Sequence, residues 1–99
     1  MVLGILSDTH GNVEAIQEVI RRFLAAKVDL VLHLGDDYLD ILFFEAANLP
    51  VIAVPGLYCP EYRDPTILNR RIENLSGVRI LLTHSPEVSN FDLPADLDP

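Results

Sequence analysis

Apolar residues in this chain fall into short runs whose spacing changes from one stretch to the next. The first run, Val2 to Leu6, is continuous and closes on Ser7-Asp8, which predicts a buried strand. Gly11-Asn12 then punctuates. Val13, Ile16, Ile20, Phe23 and Leu24 lie on one helical stripe, with Glu14, Gln17, Glu18, Arg21 and Arg22 elsewhere on the surface. Glu18 and Arg22 have the i,i+4 spacing in the favourable order. After Lys27 and Asp29, the run Leu30 to Leu34 predicts a second strand ending at Gly35-Asp36. Strand, helix, strand with continuous apolar strands is the pattern of a parallel sheet covered on both faces.

The segment Tyr38 to Ala47 reads as a second helix. Its apolar residues run almost all the way round, as in a helix buried on more than one side. Val51 to Val54, after Pro50, predicts a third strand. A loop follows from Pro55 to Pro65. Arg70 to Leu75 and Val78 to Thr83, joined by Ser76-Gly77, read as a hairpin with a tight turn. The sequence predicts one domain over residues 1–84, with residues 85–99 an acidic tail of four acids, three prolines and no base.

Composition narrows the functional classes. The chain has 99 residues, of which 49% are apolar, so it is too hydrophobic for disorder despite 15 acids against 7 bases. A chain of this length buries about 60–70% of its unfolded surface, so the core is small. Apolar runs of four or five residues are too short to span a membrane. Met1-Val2-Leu3-Gly4 carries no basic region, against a secretory leader. A single cysteine, Cys59, fits a reducing cytoplasm. The net charge of -8 disfavours nonspecific nucleic-acid binding and suits a site that gathers carboxylates around divalent cations.

The candidate chemistry sits where the apolar runs end. The first gives Asp8 and His10, the second Asp36 and Asp37, and the last His84. Ligands of open parallel sheets bind outside the carboxyl ends of the strands. If extended backbone continues past Leu6, Asp8 and His10 share a face, and adjacent strand ends bring Asp8, His10, Asp36 and His84 together. Mixed carboxylate and imidazole donors suit Mn, Fe, Zn or Co rather than calcium. Taken singly, each residue has a plainer reading. Asp8 is a turn or capping residue, His10 a solvated loop histidine, and His33 a satisfied core histidine. Cys59 is a small packed residue, and Arg70-Arg71 a solvated face with phosphate contact the lesser reading.

Asp8-Thr9-His10-Gly11-Asn12, Leu34-Gly35-Asp36 and Leu81-Leu82-Thr83-His84 together resemble the calcineurin-like metallophosphoesterases, in particular a small prokaryotic branch that begins SDTHGN. The resemblance covers roughly residues 1–85. It implies an α/β fold: part of an α/β/β/α sandwich, with a mostly parallel first sheet, flanking helices and a C-terminal hairpin. It also implies that Asp8 and His10 hold one metal, that Asp36 bridges two, and that His84 holds the second. Manganese is the expected ion, with Fe, Zn, Ni or Co as alternatives. Two departures stand out. Leu57 occupies the place of a ligating asparagine and has no donor atom, and the final GHxH motif is absent. The second metal site is therefore expected to be the weaker.

The resemblance implies hydrolysis of a phosphate monoester or diester by metal-activated water, with Asp36 and His84 at the reaction centre and a small phosphorylated substrate. His33 or Asp37 would support the metal ligands. The alternative is a metal-binding or assembly module on the same fold without catalysis. Two further readings are that these residues begin a longer protein carrying GHxH, and that a second copy completes the site. The all-round apolar 38–47 segment predicts a homo-oligomer, and no membrane partner is expected.

Overall fold

Two apolar clusters, one on each side of a three-stranded parallel sheet, organise the chain. The computed structural model describes residues 1–35, 37–56 and 60–85. Asp36, Leu57, Tyr58, Cys59 and residues 86–99 lie outside the described residues. The expectations placed on Asp36, on Leu57 and on most of the acidic tail therefore concern residues outside that set.

The elements run β1 (Leu3–Leu6), α1 (Val13–Ala25), β2 (Leu30–His33), a 3₁₀ turn (Tyr38–Asp40), α2 (Ile41–Ala46), β3 (Val51–Ala53), a second 3₁₀ turn (Pro60–Arg63), β4 (Arg70–Leu75) and β5 (Val78–Thr83). The sheet order is β1-β2-β3, parallel throughout, with Leu6 beside His33 and His33 beside Ala53. All three carboxyl ends therefore lie on one edge. β4 and β5 form an antiparallel hairpin. Its turn suits the sequence: Ser76 (φ 52°) and Gly77 (φ 84°) are both left-handed, and Gly77 N–H donates to Asn74 Oδ1 at 3.1 Å.

Asn12 caps α1 by accepting from Ala15 N–H, and the apolar stripe buries Ile16 and Ile20 against Val31, Phe44 and Leu49. On this face the helix comes close to the sheet. A Cβ on Gly4 would sit 2.8 Å from the Phe23 ring, so any larger residue there requires the ring to move. On the opposite face Leu32 and Val54 meet Leu82 of the hairpin, with Leu3, Leu30, Ile52 and Ile80 around them. Asp29 ties the sheet's open end, donating its N–H to Val2 O and accepting Val2 N–H on Oδ2.

Two expectations need correction. The 38–47 segment is not one helix buried on several sides. It is a 3₁₀ turn followed by six residues of α-helix, with Phe44 buried while Leu39 and Leu42 stand 58% and 57% exposed. Nor is the sheet covered on both faces at its β1 edge. Ile5 shares a face with Leu3 of the hairpin-side cluster, yet it is 58% exposed. Among the described residues, no helix is long and apolar enough to cross a membrane.

Candidate metal centre

The loop after β1 leaves extended geometry at once. Asp8 (φ 58°), His10 (φ 52°) and Gly11 (φ 67°) are all left-handed, so Asp8 and His10 do not share a face through a continued strand. A non-glycine residue in this region costs about 1–2 kcal/mol, and two within three residues need strong external anchors.

Those anchors are buried and come from distant parts of the chain. His33 is fully buried. Its Nδ1 accepts from Gly35 N–H at 3.3 Å, so the ring proton sits on Nε2 and is donated to Thr9 Oγ1 at 3.0 Å. Thr9 in turn donates to Asp40 Oδ2 at 2.5 Å, and the same oxygen accepts Gly11 N–H at 2.9 Å. Asp40, 4% exposed, therefore holds the loop from below while Asp8 and His10 remain exposed at its surface. His33 fills the plainer role expected of it. Asp40 escaped the sequence reading altogether. It looks like one more polar residue of a helix, and its partners lie 31 and 29 residues away.

The loop meets the end of β2 through backbone: Asp8 N–H donates to Gly35 O at 3.1 Å. His84, from the end of β5, reaches the same place. Its Nδ1 lies 2.9 Å from Leu34 O, so Nδ1 carries the proton and Nε2 keeps the lone pair. A Cβ on Gly35 (φ 115°) would lie 2.6 Å from His84 Nδ1, so the glycine makes room for the imidazole. Asp8 and His84 are thus both seated on Leu34-Gly35, the two residues before Asp36. Among the described residues, no three His, Cys, Asp or Glu side chains close on one point where a metal would bind.

The donor chemistry nevertheless fits a divalent ion. A histidine that donates one ring nitrogen to a backbone carbonyl presents the other in the orientation and tautomer a metal needs. Carboxylate and imidazole are the donors that borderline divalent ions share. A cavity of about 250 Å³ adjoins the loop between β1 and the first turn of α1, lined by Asp8, Thr9, His10 and Asn12 among others. On the helix side the cavity is lined by the cap Asn12 and by Ala15, Ile16 and Val19 of α1.

Comparison with known proteins places the fold. A model of the calcineurin-like phosphoesterase superfamily domain matches residues 1–97. The chain belongs to that family, whose members generally depend on divalent metals. A solved structure of a novel archaeal phosphodiesterase superposes with a TM-score of 0.71 at 25% identity, covering 84% of this chain and 58% of that one. The chain thus spans less than two thirds of that protein's length. No curated protein sequence matches it.

Proposed function

We propose that the chain is a metal-dependent phosphoesterase that hydrolyses small phosphate monoesters or diesters. The observation that supports this most is the Asp8–His10 loop. A costly left-handed conformation is held by half-buried Thr9 and by buried His33 and Asp40 at the carboxyl edge of the sheet. In this reading Asp8, His10, Asp36 and His84 hold divalent metal, manganese first among the candidates. A bound divalent ion supplies charge for the phosphoryl oxygens and lowers the pKa of water. Leu34 O fixes which nitrogen His84 offers, and the cavity lined by Asp8, Thr9 and His10 leaves room for the phosphoryl group beside the metal.

The test is manganese-dependent cleavage of a nitrophenyl phosphate monoester and diester. The reading requires turnover that disappears in Asp36→Asn; turnover that persists in the variant belongs to a contaminant. The second reading is a metal-binding or assembly module without catalysis. Leu57 favours it, since a leucine stands where a ligating asparagine is expected. Retained manganese without turnover in any of these esters would select that reading. We also propose self-association, supported by exposed Leu39 and Leu42 on one stretch of chain. Light scattering that gives only an 11.0 kDa species would reject it. A reducing cytoplasm is the proposed compartment, supported by the lone Cys59.

A further inference from the structure

A second cavity, of about 230 Å³, opens between the 3₁₀ turn at Tyr38, the end of β3 at Ala53, the Thr66–Leu68 stretch and Arg71 on β4. Tyr38 is two residues beyond Asp36, and Ala53 pairs with His33, so this cavity belongs to the same carboxyl edge as the metal centre. It shares no lining residue with the space beside α1. Arg71 opposes Leu82 in the hairpin, and Leu82 packs on Leu32 and Val54. Side chains directly opposite share a face. Arg71 therefore projects from the hairpin's inner face, toward the parallel sheet.

Its bonding is incomplete. Nη2 pairs with Glu73 Oε1 at 2.7 Å, while Nε is buried and has no hydrogen-bond partner among the described residues. A guanidinium offers five N–H donors in a planar fork that matches an oxyanion, and a buried donor left unmade is costly. The side chain as a whole is 33% exposed and lines the cavity, so the guanidinium is reachable there although its Nε is covered. Thr66 adds a hydroxyl, already donated to Asp64 Oδ1 at 2.7 Å, and Tyr38 adds a phenol.

We propose that this cavity binds an anionic oxygen group of the substrate other than the phosphoryl group being cleaved, with Arg71 as the residue that selects it. The preferred substrates are then esters that carry a second phosphate or a carboxylate. This assignment rests on the phosphoesterase reading, and the experiment separates the two by removing metal. In the metal-free chain, held in chelator, inorganic phosphate is titrated while the Arg71 Nε–H and the Thr66 and Ile67 amide signals are followed by NMR. Saturable shifts are expected at all three. In Arg71→Lys the Thr66 and Ile67 shifts should need about tenfold more phosphate, as when a charge-assisted hydrogen bond is lost.

Kinetics on the manganese-loaded chain distinguishes a substrate group from free phosphate. Arg71→Lys should raise KM about tenfold for a diester bearing a terminal phosphate and leave kcat unchanged. It should leave both constants unchanged for bis(nitrophenyl) phosphate, which carries no second anion. An Arg71 signal that stays still under phosphate overturns the proposal. So does equal movement of exposed Arg21 and Arg22, or unchanged phosphate affinity in Arg71→Lys. Saturable binding with KM values unaffected by the variant makes the site one for free phosphate and overturns its assignment to substrate. Failure of the phosphoesterase reading shows separately, as absence of metal-dependent turnover in the wild-type chain.

Discussion

The two halves of the candidate centre are held in place by different means. After β1, Asp8 and His10 sit exposed on left-handed backbone, and the side chains of Thr9, His33 and Asp40 hold the loop beneath them. After β5, His84 is half-buried, and what places it is backbone: the Leu34 carbonyl it bonds and the absent side chain of Gly35 it packs against. The first half depends on polar groups brought from two other segments. The second depends on a shape that a single methyl group would destroy. Damage to the first should therefore be graded, and damage to the second abrupt.

The largest effect is expected at the shape-dependent half. Gly35→Ala places a methyl 2.6 Å from His84 Nδ1 at φ 115°. Strain and overpacking together should cost about 3 kcal/mol or more, read as a lower urea midpoint. A midpoint within experimental error of wild type would break the contrast. Next comes Asp40→Ala, which empties a buried position and leaves the part-buried Thr9 O–H and Gly11 N–H bonds without their acceptor. It should cost about 2–3 kcal/mol and weaken manganese binding about 10–100-fold, although Asp40 itself is not expected to touch metal. Asp40→Asn keeps one carbonyl oxygen and should recover part of both losses. Full metal affinity in Asp40→Ala would mean that the loop holds itself.

Thr9→Val should fall lower, at about 1–2 kcal/mol. It removes the link between His33 and Asp40 but leaves the Gly11 bond in place. The smallest effect lies outside both halves, at Glu18 on α1. The Arg22 and Arg21 hydrogen bonds hold its carboxyl below the usual range. Because the folded pKa is depressed, this contribution is present above the unfolded value and lost as pH falls through the folded one. Glu18→Gln should therefore differ from wild type slightly at neutral pH, and less in acid. A larger loss at neutral pH than in Thr9→Val would reverse the order and shift the weight from the loop to the helix.

What the sequence revealed and what it hid separate along the same line. Strands, the first helix and the hairpin were legible because each repeats a period: Val2–Leu6 and Leu30–Leu34 as apolar runs, Ile16 and Ile20 on one stripe, Ser76-Gly77 at the turn. The 38–47 segment misled because its apolar residues imply burial, whereas Leu39 and Leu42 face outward and the first turn is 3₁₀. The left-handed loop was illegible since Asp8 and His10 give no glycine signal. Arg70-Arg71 misled for a related reason. Adjacent charges read as a wet surface, yet Arg70 is only 7% exposed and the Nε of Arg71 is buried. Asp40's partners, far away in sequence, carry no local pattern at all.

The contact between Gly4 and Phe23 bears on how this chain can diverge. The Phe23 ring occupies the volume a side chain at position 4 would need, 2.8 Å from its Cβ. The two positions therefore drift as one. A relative that gains alanine or serine at position 4 is expected to carry a smaller residue at position 23, since either change alone overfills or hollows the helix-to-sheet seam. Gly4→Ala should be tolerated far better beside Phe23→Leu than alone, and the departure from additivity in that double cycle measures how tightly the seam couples strand to helix.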